Sequence, residues 1–349
     1  MAVEKTRILV IRFSSLGDVA MTVPVLRQLV RENPKVELLI LTKPFFQPLF
    51  YGIENTSFVT FDLNGRHKGF LGLIRLFFDL PKVDKVADLH GVLRAKLLKL
   101  LFSFKGVSFR TINKKRNLRK QLVRKRHKVF RPLPSVFNNY ADVFKELGYS
   151  VDLSQDCFKV PQIVWPALYA KFKKFQKPWI GIAPFAYYQS KVYPLDLMSK
   201  VIDQVLQTTS VSIFLFGAGK DEMSQLNRLK SGRERVFVVA GAFSLSEELQ
   251  LISQLDLMVS MDSANAHMAA IKGVKTITLW GATHPYCGFL PYKHTLDDTL
   301  VSDRQKYPLL PSSIYGNKTI EGYQDAMRTI SPEHVVEKIN QFLIKLTKN

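Results

Sequence analysis

Cysteine is nearly missing from this chain: there are two in 349 residues, Cys157 and Cys287, far apart and in no metal-ligand spacing. That excludes a disulfide framework and suits a reducing compartment. Long apolar runs are missing as well. Stretches such as VELLIL and VSIFLF are strand-sized, short of the roughly 20 residues that a membrane-spanning helix needs. The opening MAVEKTRILVIRF has four apolar residues in a row before Arg12, too few for a signal peptide. The expectation from these absences is a cytosolic protein that can still bind a membrane surface. No G-x-x-x-x-G-K-[ST] occurs, which argues against a P-loop nucleotidase, and the lone G-A-G of LFGAGKDE lacks the rest of a dinucleotide fingerprint. With no Asp-x-Asp and seven scattered histidines, no metal is expected.

Acid is the other shortage. From Leu89 to Ala141 there are fifteen Lys and Arg and no Asp or Glu, and the whole chain has a formal charge of +21. Without acids in the run, like charges repel unless an anion neutralises them, so the stretch reads as an anion-binding surface, although most charge runs are merely solvated faces. Arg94, Lys114, Lys115, Arg116, Arg119 and Lys120 are its candidates. It matches no helix-turn-helix, zinc finger, RRM or KH pattern, which counts against nucleic acid. Anionic lipid or a phosphorylated glycolipid fits the same charge.

Apolar residues make up 46% of the chain, enough for the cores of two domains. RILVIRF, VELLILT and KVADLHG read as strands, with a helix expected over about 21–31. The pattern restarts after 160–178 with PWIGIAPF, VSIFLFGAG, RVFVVAGA, LDLMVSMDS and TITLWGATHP. Each of these five ends in small or polar residues, and in parallel α/β sheets ligands bind at the carboxyl ends of strands. SPEHVVEKINQFLIKL starts with a Ser cap and Pro at the first helical position, and reads as a terminal helix.

Three places carry candidate chemistry. In SSLGD, Asp18 follows a strand, and Ser15 and Gly17 stand beside it; taken alone, Asp18 is a turn or cap residue. Lys191 lies in a polar loop after PWIGIAPF and before the helix expected near Pro194, a place suited to phosphate contact. In MDSANAHMAA the backbone N–H groups from Ser263 to Ala266 offer a cradle for a diphosphate, while Asp262 or Ser263 could equally be a plain N-cap. Asp262 would repel a phosphate unless it bonds backbone N–H groups. His267, one turn inside that helix, is ordinarily a packed histidine.

In this order, ILVIRFSSLGDVAMTVPVL, MDSANAHMAAIKGVKTITLWGATHP and SIYGNKTIEGYQDAMRTISPEHVVEKI resemble the ADP-heptose:lipopolysaccharide heptosyltransferases of glycosyltransferase family nine, nearly end to end. The resemblance implies an α/β GT-B fold, with two Rossmann-like domains whose parallel sheets face across a cleft. Their expected bounds are 1–165 for the acceptor and 178–330 for the nucleotide sugar, with a terminal helix over 331–349 returning to the first. It implies metal-independent, inverting transfer from a nucleotide-sugar donor, with Asp18 as general base and Lys191 on the donor phosphates. It also implies a cytoplasmic enzyme, peripheral at the inner face of the inner membrane. Asp262, Ser263, Ala264 and Asn265 fall on the diphosphate loop and His267 on the family's histidine; Glu222 and Phe243 fall near the adenosine by a looser match. Ala264 stands where many relatives have Gly, Tyr193 where Trp is common, and Ser312 or Ala326 where related chains have cysteine. Two other readings are a same-fold enzyme using another nucleotide sugar and a basic nucleic-acid-binding α/β protein.

Overall fold

A computed structural model describes residues 5–62, 65–155, 172 and 175–346. Most of the expected domain join, 165–178, and Cys157 lie outside the described residues. Contacts divide the chain into two units, residues 1–115 with 134–160, and residues 116–133 with 161–349.

The first unit is a five-stranded, wholly parallel sheet in the order β3-β2-β1-β4-β5. Its strands are β1 (Thr6–Ile11), β2 (Val36–Leu41), β3 (Thr56–Phe58), β4 (Lys85–Asp88) and β5 (Ser108–Thr111). Unbroken apolar runs such as ILVI suit strands covered on both faces. On one face, Leu9, Ile11, Leu39 and Val86 pack under α3 (Gly69–Asp79) and α4 (Leu93–Ser103). The single helix expected over 21–31 is two: α1 (Leu16–Ala20) and α2 (Val23–Glu32). Pro24 explains the break, because proline is accepted in a first helical turn and disrupts an interior one. The unit also holds α6 (Val136–Glu146), which packs against α2. Between β5 and α6 lies α5 (Arg116–Val123), which groups with the second unit.

The second unit is a six-stranded parallel sheet in the order β11-β10-β9-β6-β7-β8. The strands are β6 (Trp179–Ala183), β7 (Ser212–Leu215), β8 (Val236–Val238), β9 (Leu257–Met261), β10 (Lys275–Trp280) and β11 (Thr299–Val301). The helices that matter below are α7 (Leu195–Thr208), α8 (Gly219–Lys230), α9 (Leu245–Ser253), α10 (Ala264–Ile271) and α11 (Pro332–Leu346).

One expectation about organisation is corrected. Residues 116–133 were expected in the first domain. They group with the second unit, where the Leu133 N–H donates to the Tyr286 carbonyl and Lys128 Nζ to the Pro311 carbonyl at 2.7 Å. The terminal helix was expected to return to the first domain. Its apolar face, Val335, Ile339 and Leu343, joins Val201, Ile202 and Val205 of α7 in the second unit's core. Ile339→Ala should therefore lower unfolding stability by about 2–5 kcal/mol, the range for truncating a buried aliphatic side chain. Hydrogen exchange should show that loss in α7 and β6, and an unchanged α7 would contradict this packing.

Candidate functional site

Chain order reverses at one place in each sheet. In the first unit β1 leads outward to β2 and β3, and the chain then returns to β4 on the other side of β1. Such switch points leave a crevice at the strand carboxyl ends. Here Arg12 follows β1, and its guanidinium bonds the Leu89 carbonyl at 2.7 Å and Asp18 Oδ2 at 2.7 Å. The same oxygen accepts the Ser15 hydroxyl at 2.8 Å and the Ser15 N–H at 3.3 Å, which is the reciprocal capping pattern of a helix start. Asp18 is thus the cap carboxylate of α1 and also an oriented, partly exposed anion, its backbone carbonyl accepting from the Tyr140 hydroxyl. Gly17 lies between these capping partners.

His90, just past β4, completes this group. Its Nδ1 accepts the Phe13 N–H at 3.3 Å, so the neutral ring carries its proton on Nε2. Burial pushes its pKa down to about 3, and the charges of Arg12, Lys114 and Arg94 push the same way while Asp18 opposes them. Asp88, at the end of β4, is buried and accepts the His90 and Gly91 N–H groups at 3.0 and 2.9 Å, fixing the loop; burial pushes its carboxyl up. Lys114 Nζ lies 3.4 Å from the Gly91 carbonyl. Arg94 and Lys114 are therefore gathered around the first switch point.

The second switch point falls between β6 and β9. After β6 the chain makes a single tight turn, Gln189–Lys191, that sends Lys191 toward the end of β9. Its Nζ lies 3.0 Å from Asp262 Oδ2, with both side chains largely buried, and the Thr283 hydroxyl donates to the same oxygen at 2.8 Å. Asp262 therefore bonds a lysine and a hydroxyl. Ser263 is the N-cap of α10, but its hydroxyl pairs with Ser260 at 3.1 Å and makes no side-chain cap bond. Ala264 and Asn265, half-buried residues, open α10 beside this pair, a place where a helix dipole favours negative charge. His267 is buried in α10.

A loop covers Lys191. The Ser190 hydroxyl donates to the Gly316 carbonyl at 2.7 Å, and Ser313 Oγ accepts the Gly316 N–H at 2.9 Å. Gly316 has φ +91°, and a Cβ there would meet the Lys191 stem at 2.7 Å, so only glycine lets the loop lie this close. Gly281 is similarly constrained: its Cβ would lie 2.5 Å from the Ser190 carbonyl. Arg119 of α5 joins the loop, its guanidinium bonding the Tyr315 hydroxyl and lying 5.6 and 5.5 Å from the Tyr315 and Phe289 ring centres. The buried Cys287 thiol is pushed up to about 12, chiefly by burial, and stays protonated; Asp262 adds to the shift, while Arg119 and Lys191 oppose it.

Glu222 and Phe243 stand on the same sheet edge, farther out. Glu222 accepts the Ala218 N–H at 2.7 Å after β7, and Phe243 after β8 lies 5.7 Å from Phe172. The basic stretch divides between the two units. Arg94, Lys114 and Lys115 belong to the first unit, whereas Arg116, Arg119 and Lys120 belong to the second. Lys115 lines a separate depression with Asp142, Lys145 and Glu146, so carboxylates stand beside it. An external anion is not the sole relief for the run's like charges. Carbonyls and rings do part of that work: Lys128 caps the Pro311 carbonyl, and Lys105 lies 4.4 Å over Phe77. The sequence reading left out Arg12, His90, Thr283 and the turn over 313–316. For His90 a signal was present, since KVADLHG ends in polar residues after its strand. Among the described residues, no three His, Cys, Asp or Glu side chains form a metal-binding group.

Residues 75–312 match the family model "Glycosyltransferase family 9 (heptosyltransferase)". The chain is 31% identical to lipooligosaccharide heptosyltransferase 2 of Haemophilus influenzae over 52% of this chain and 55% of that one, about half its length. It is 25% identical to lipopolysaccharide heptosyltransferase 3 of Escherichia coli over 84% of this chain and 87% of that one. The structure of E. coli heptosyltransferase WaaC with ADP has the same fold, at TM-score 0.70 and 18% identity, covering 97% of this chain and 100% of that one.

Two outcomes follow from the geometry. Removing one partner of a buried pair leaves the other charge unmatched, so Lys191→Met should cost about 3–5 kcal/mol in ligand-free denaturant unfolding. Lys191→Met with Asp262→Asn should recover most of it, and a neutral single variant would show that the pair does not hold the loop. For His90, the folded pKa of about 3 lies below the ordinary 6.5. Between those values the unfolded chain binds a proton that the folded chain does not, so the contribution is whole above the upper value and lost as pH falls. His90→Gln should make acid destabilisation less steep between roughly pH 6.5 and 3.

Proposed function

The chain belongs to glycosyltransferase family 9, and from that membership we propose that it transfers a heptose from ADP-heptose to a lipopolysaccharide core or related lipid-linked glycan, with inversion and without a metal. The observation that carries this reading is the Lys191–Asp262 pair beside the N-terminus of α10, at the switch point of the second sheet. Lys191 has three N–H donors, and the bond to Asp262 aims the ammonium while leaving donors for a phosphate. The helix N-terminus adds partial positive charge, so a departing diphosphate meets stabilisation already in place. The residue at 264 is alanine; relatives often have glycine there, and a methyl group lines this cradle.

Asp18 supplies the other half of the chemistry. A sugar hydroxyl is a poor nucleophile until its proton is removed. The Asp18 carboxylate takes that proton as the acceptor oxygen bonds the anomeric carbon, and the bond to the diphosphate breaks with its electron pair going to the phosphate oxygen. Attack opposite the leaving group inverts the carbon. Arg12 and the Ser15 hydroxyl hold Asp18 in place without consuming a proton. Arg94 and Lys114, near Asp18 in the same unit, suit the phosphates of an acceptor core, and Arg119 adds positive charge near Lys191. Asp262, Ser263, Asn265 and His267 complete the donor loop, with Glu222 and Phe243 toward the adenosine. ADP as the nucleotide is supported by the WaaC–ADP likeness, and the acceptor class by the names of the curated relatives. A lipid-linked acceptor puts the enzyme at the cytoplasmic face of a membrane.

Thermal unfolding against ADP, UDP and GDP tests the donor. ADP at a hundred times its Kd should stabilise by about 2.7 kcal/mol. The increment should shrink for Lys191→Ala and persist for Asp18→Asn, while Asp18→Asn should lower kcat by about 10²–10⁴-fold. A chelator should leave the rate unchanged. Preference for UDP or GDP would replace the sugar nucleotide and keep the chemistry; full activity in Asp18→Asn would remove the base.

A further inference from the structure

The sheet face of the first unit that carries α3 and α4 has an outer surface the reaction does not use. Both helices bury one side, Leu73, Leu76 and Phe77 on α3 and Ala95, Leu98 and Phe102 on α4. Their other sides are unusually apolar. On α4, Leu93, Leu100 and Phe104 follow at helical spacing, with Leu93 81% and Phe104 81% exposed. On α3, Leu71 and Phe78 are seven residues apart, and Phe78 is 72% exposed. The two surfaces are continuous where the helices end. Phe77 meets Phe102 edge-on at 5.0 Å, and Lys105 Nζ lies 4.4 Å over the Phe77 ring, next to Phe78. Protruding aromatic and leucine side chains of this kind mark an interaction site rather than ordinary scatter.

The charges around them identify the partner. Arg75, Lys96, Lys99 and Lys105 are exposed on or beside the same two helices. The one carboxylate within α3 or α4, Asp79, is engaged by Arg66 at 2.7 Å and by His67 at 3.1 Å. A second copy of the chain would set these lysines against their own kind, which association disfavours. An anionic bilayer supplies the opposite sign together with an apolar layer just beneath it. Eleven residues per helix are too few to cross a bilayer, which takes about 20, so the helices would lie along its surface.

We propose that the outer surface of α3 and α4 docks on an anionic phospholipid membrane, with Phe78, Leu100 and Phe104 entering the interface and Lys96, Lys99 and Lys105 meeting the headgroups. This rests on the reading of a lipid-linked acceptor, and the test separates the two. The full chain is sedimented with phosphatidylcholine vesicles with and without about one-third phosphatidylglycerol. Wild type should bind only the anionic vesicles, and less at high salt. Phe78→Ser with Phe104→Ser should weaken binding about tenfold or more, as should Lys99→Glu with Lys105→Glu. Both should keep the wild-type rate on a short water-soluble acceptor. These side chains are exposed, and an unchanged melting temperature checks the fold; if the serine pair misfolds, the lysine pair carries the test. Undiminished vesicle binding in the variants would overturn the proposal. So would loss of activity on the soluble acceptor, or wild-type self-association that the serine pair abolishes. Wild type that binds vesicles in this way but transfers no heptose would uphold the docking face and overturn the proposed function.

Discussion

Parallel strand pairing is the constraint from which the rest follows. Strands that all run one way need crossover connections, and every connection after a strand leaves from the same sheet edge. Where crossovers change direction, neighbouring loops diverge and a crevice opens. Each sheet here has one such point, and each is occupied by a cation–carboxylate pair: Arg12 with Asp18 at 2.7 Å, and Lys191 with Asp262 at 3.0 Å. In both pairs the two partners come from segments that the fold brings together or from the turn itself. The pairs differ in burial. Asp18 keeps 29% of its side chain exposed, whereas Asp262 keeps 7% and holds Lys191.

In residues 116–133, part of the positive charge is met by carbonyls and rings. Residues 116–133 lie in sequence between elements of the first unit, but their contacts are with the second. Arg119 bonds a tyrosine, Lys128 bonds carbonyls, and Arg304 stacks 3.4 Å over Phe130. Burial pushes Lys128 down to about 8, with Arg304 adding to the shift. A guanidinium can give up some water for a ring face or a carbonyl at modest cost, which a compact ammonium does less readily. Residues 116–133 are therefore held through Arg119, Lys128 and apolar neighbours, while Arg116, Lys120, Arg124, Lys125, Arg126 and Arg131 are exposed.

Most of the fold was legible because buried parallel strands leave a strong mark: RILVIRF, VELLILT and the five later runs all correspond to strands. β5 was missed because SFRT sits inside a run of lysines and arginines, where charge obscures a four-residue strand with one buried side chain. β11 is short and only partly buried, so its pattern is equally faint. Site residues were legible where they follow directly on a strand, as Asp262 does, and where the family motif covers them, as with Asp18 and Lys191. Arg12 and Thr283 escaped because their roles depend on partners across the sheet. Arg119 was singled out for its charge alone; its place beside Tyr315 joins residues 196 apart in the chain, which no local pattern encodes.

The bond to Asp262 fixes the Lys191 side chain beside the helix N-terminus before any ligand arrives. The pair also sets the sign of the site. One lysine against one aspartate is close to neutral, so the excess positive charge comes from the N-terminus of α10 and from Arg119. A neutral sugar gains little from such a place, while a diphosphate gains from the ammonium, the helix and the guanidinium together. On the proposed reading, that difference grows as the sugar–phosphate bond breaks and charge collects on the leaving oxygen. On that reading, the same arrangement that fixes Lys191 in the resting protein favours the transition state over the ground state, which is the condition for catalysis.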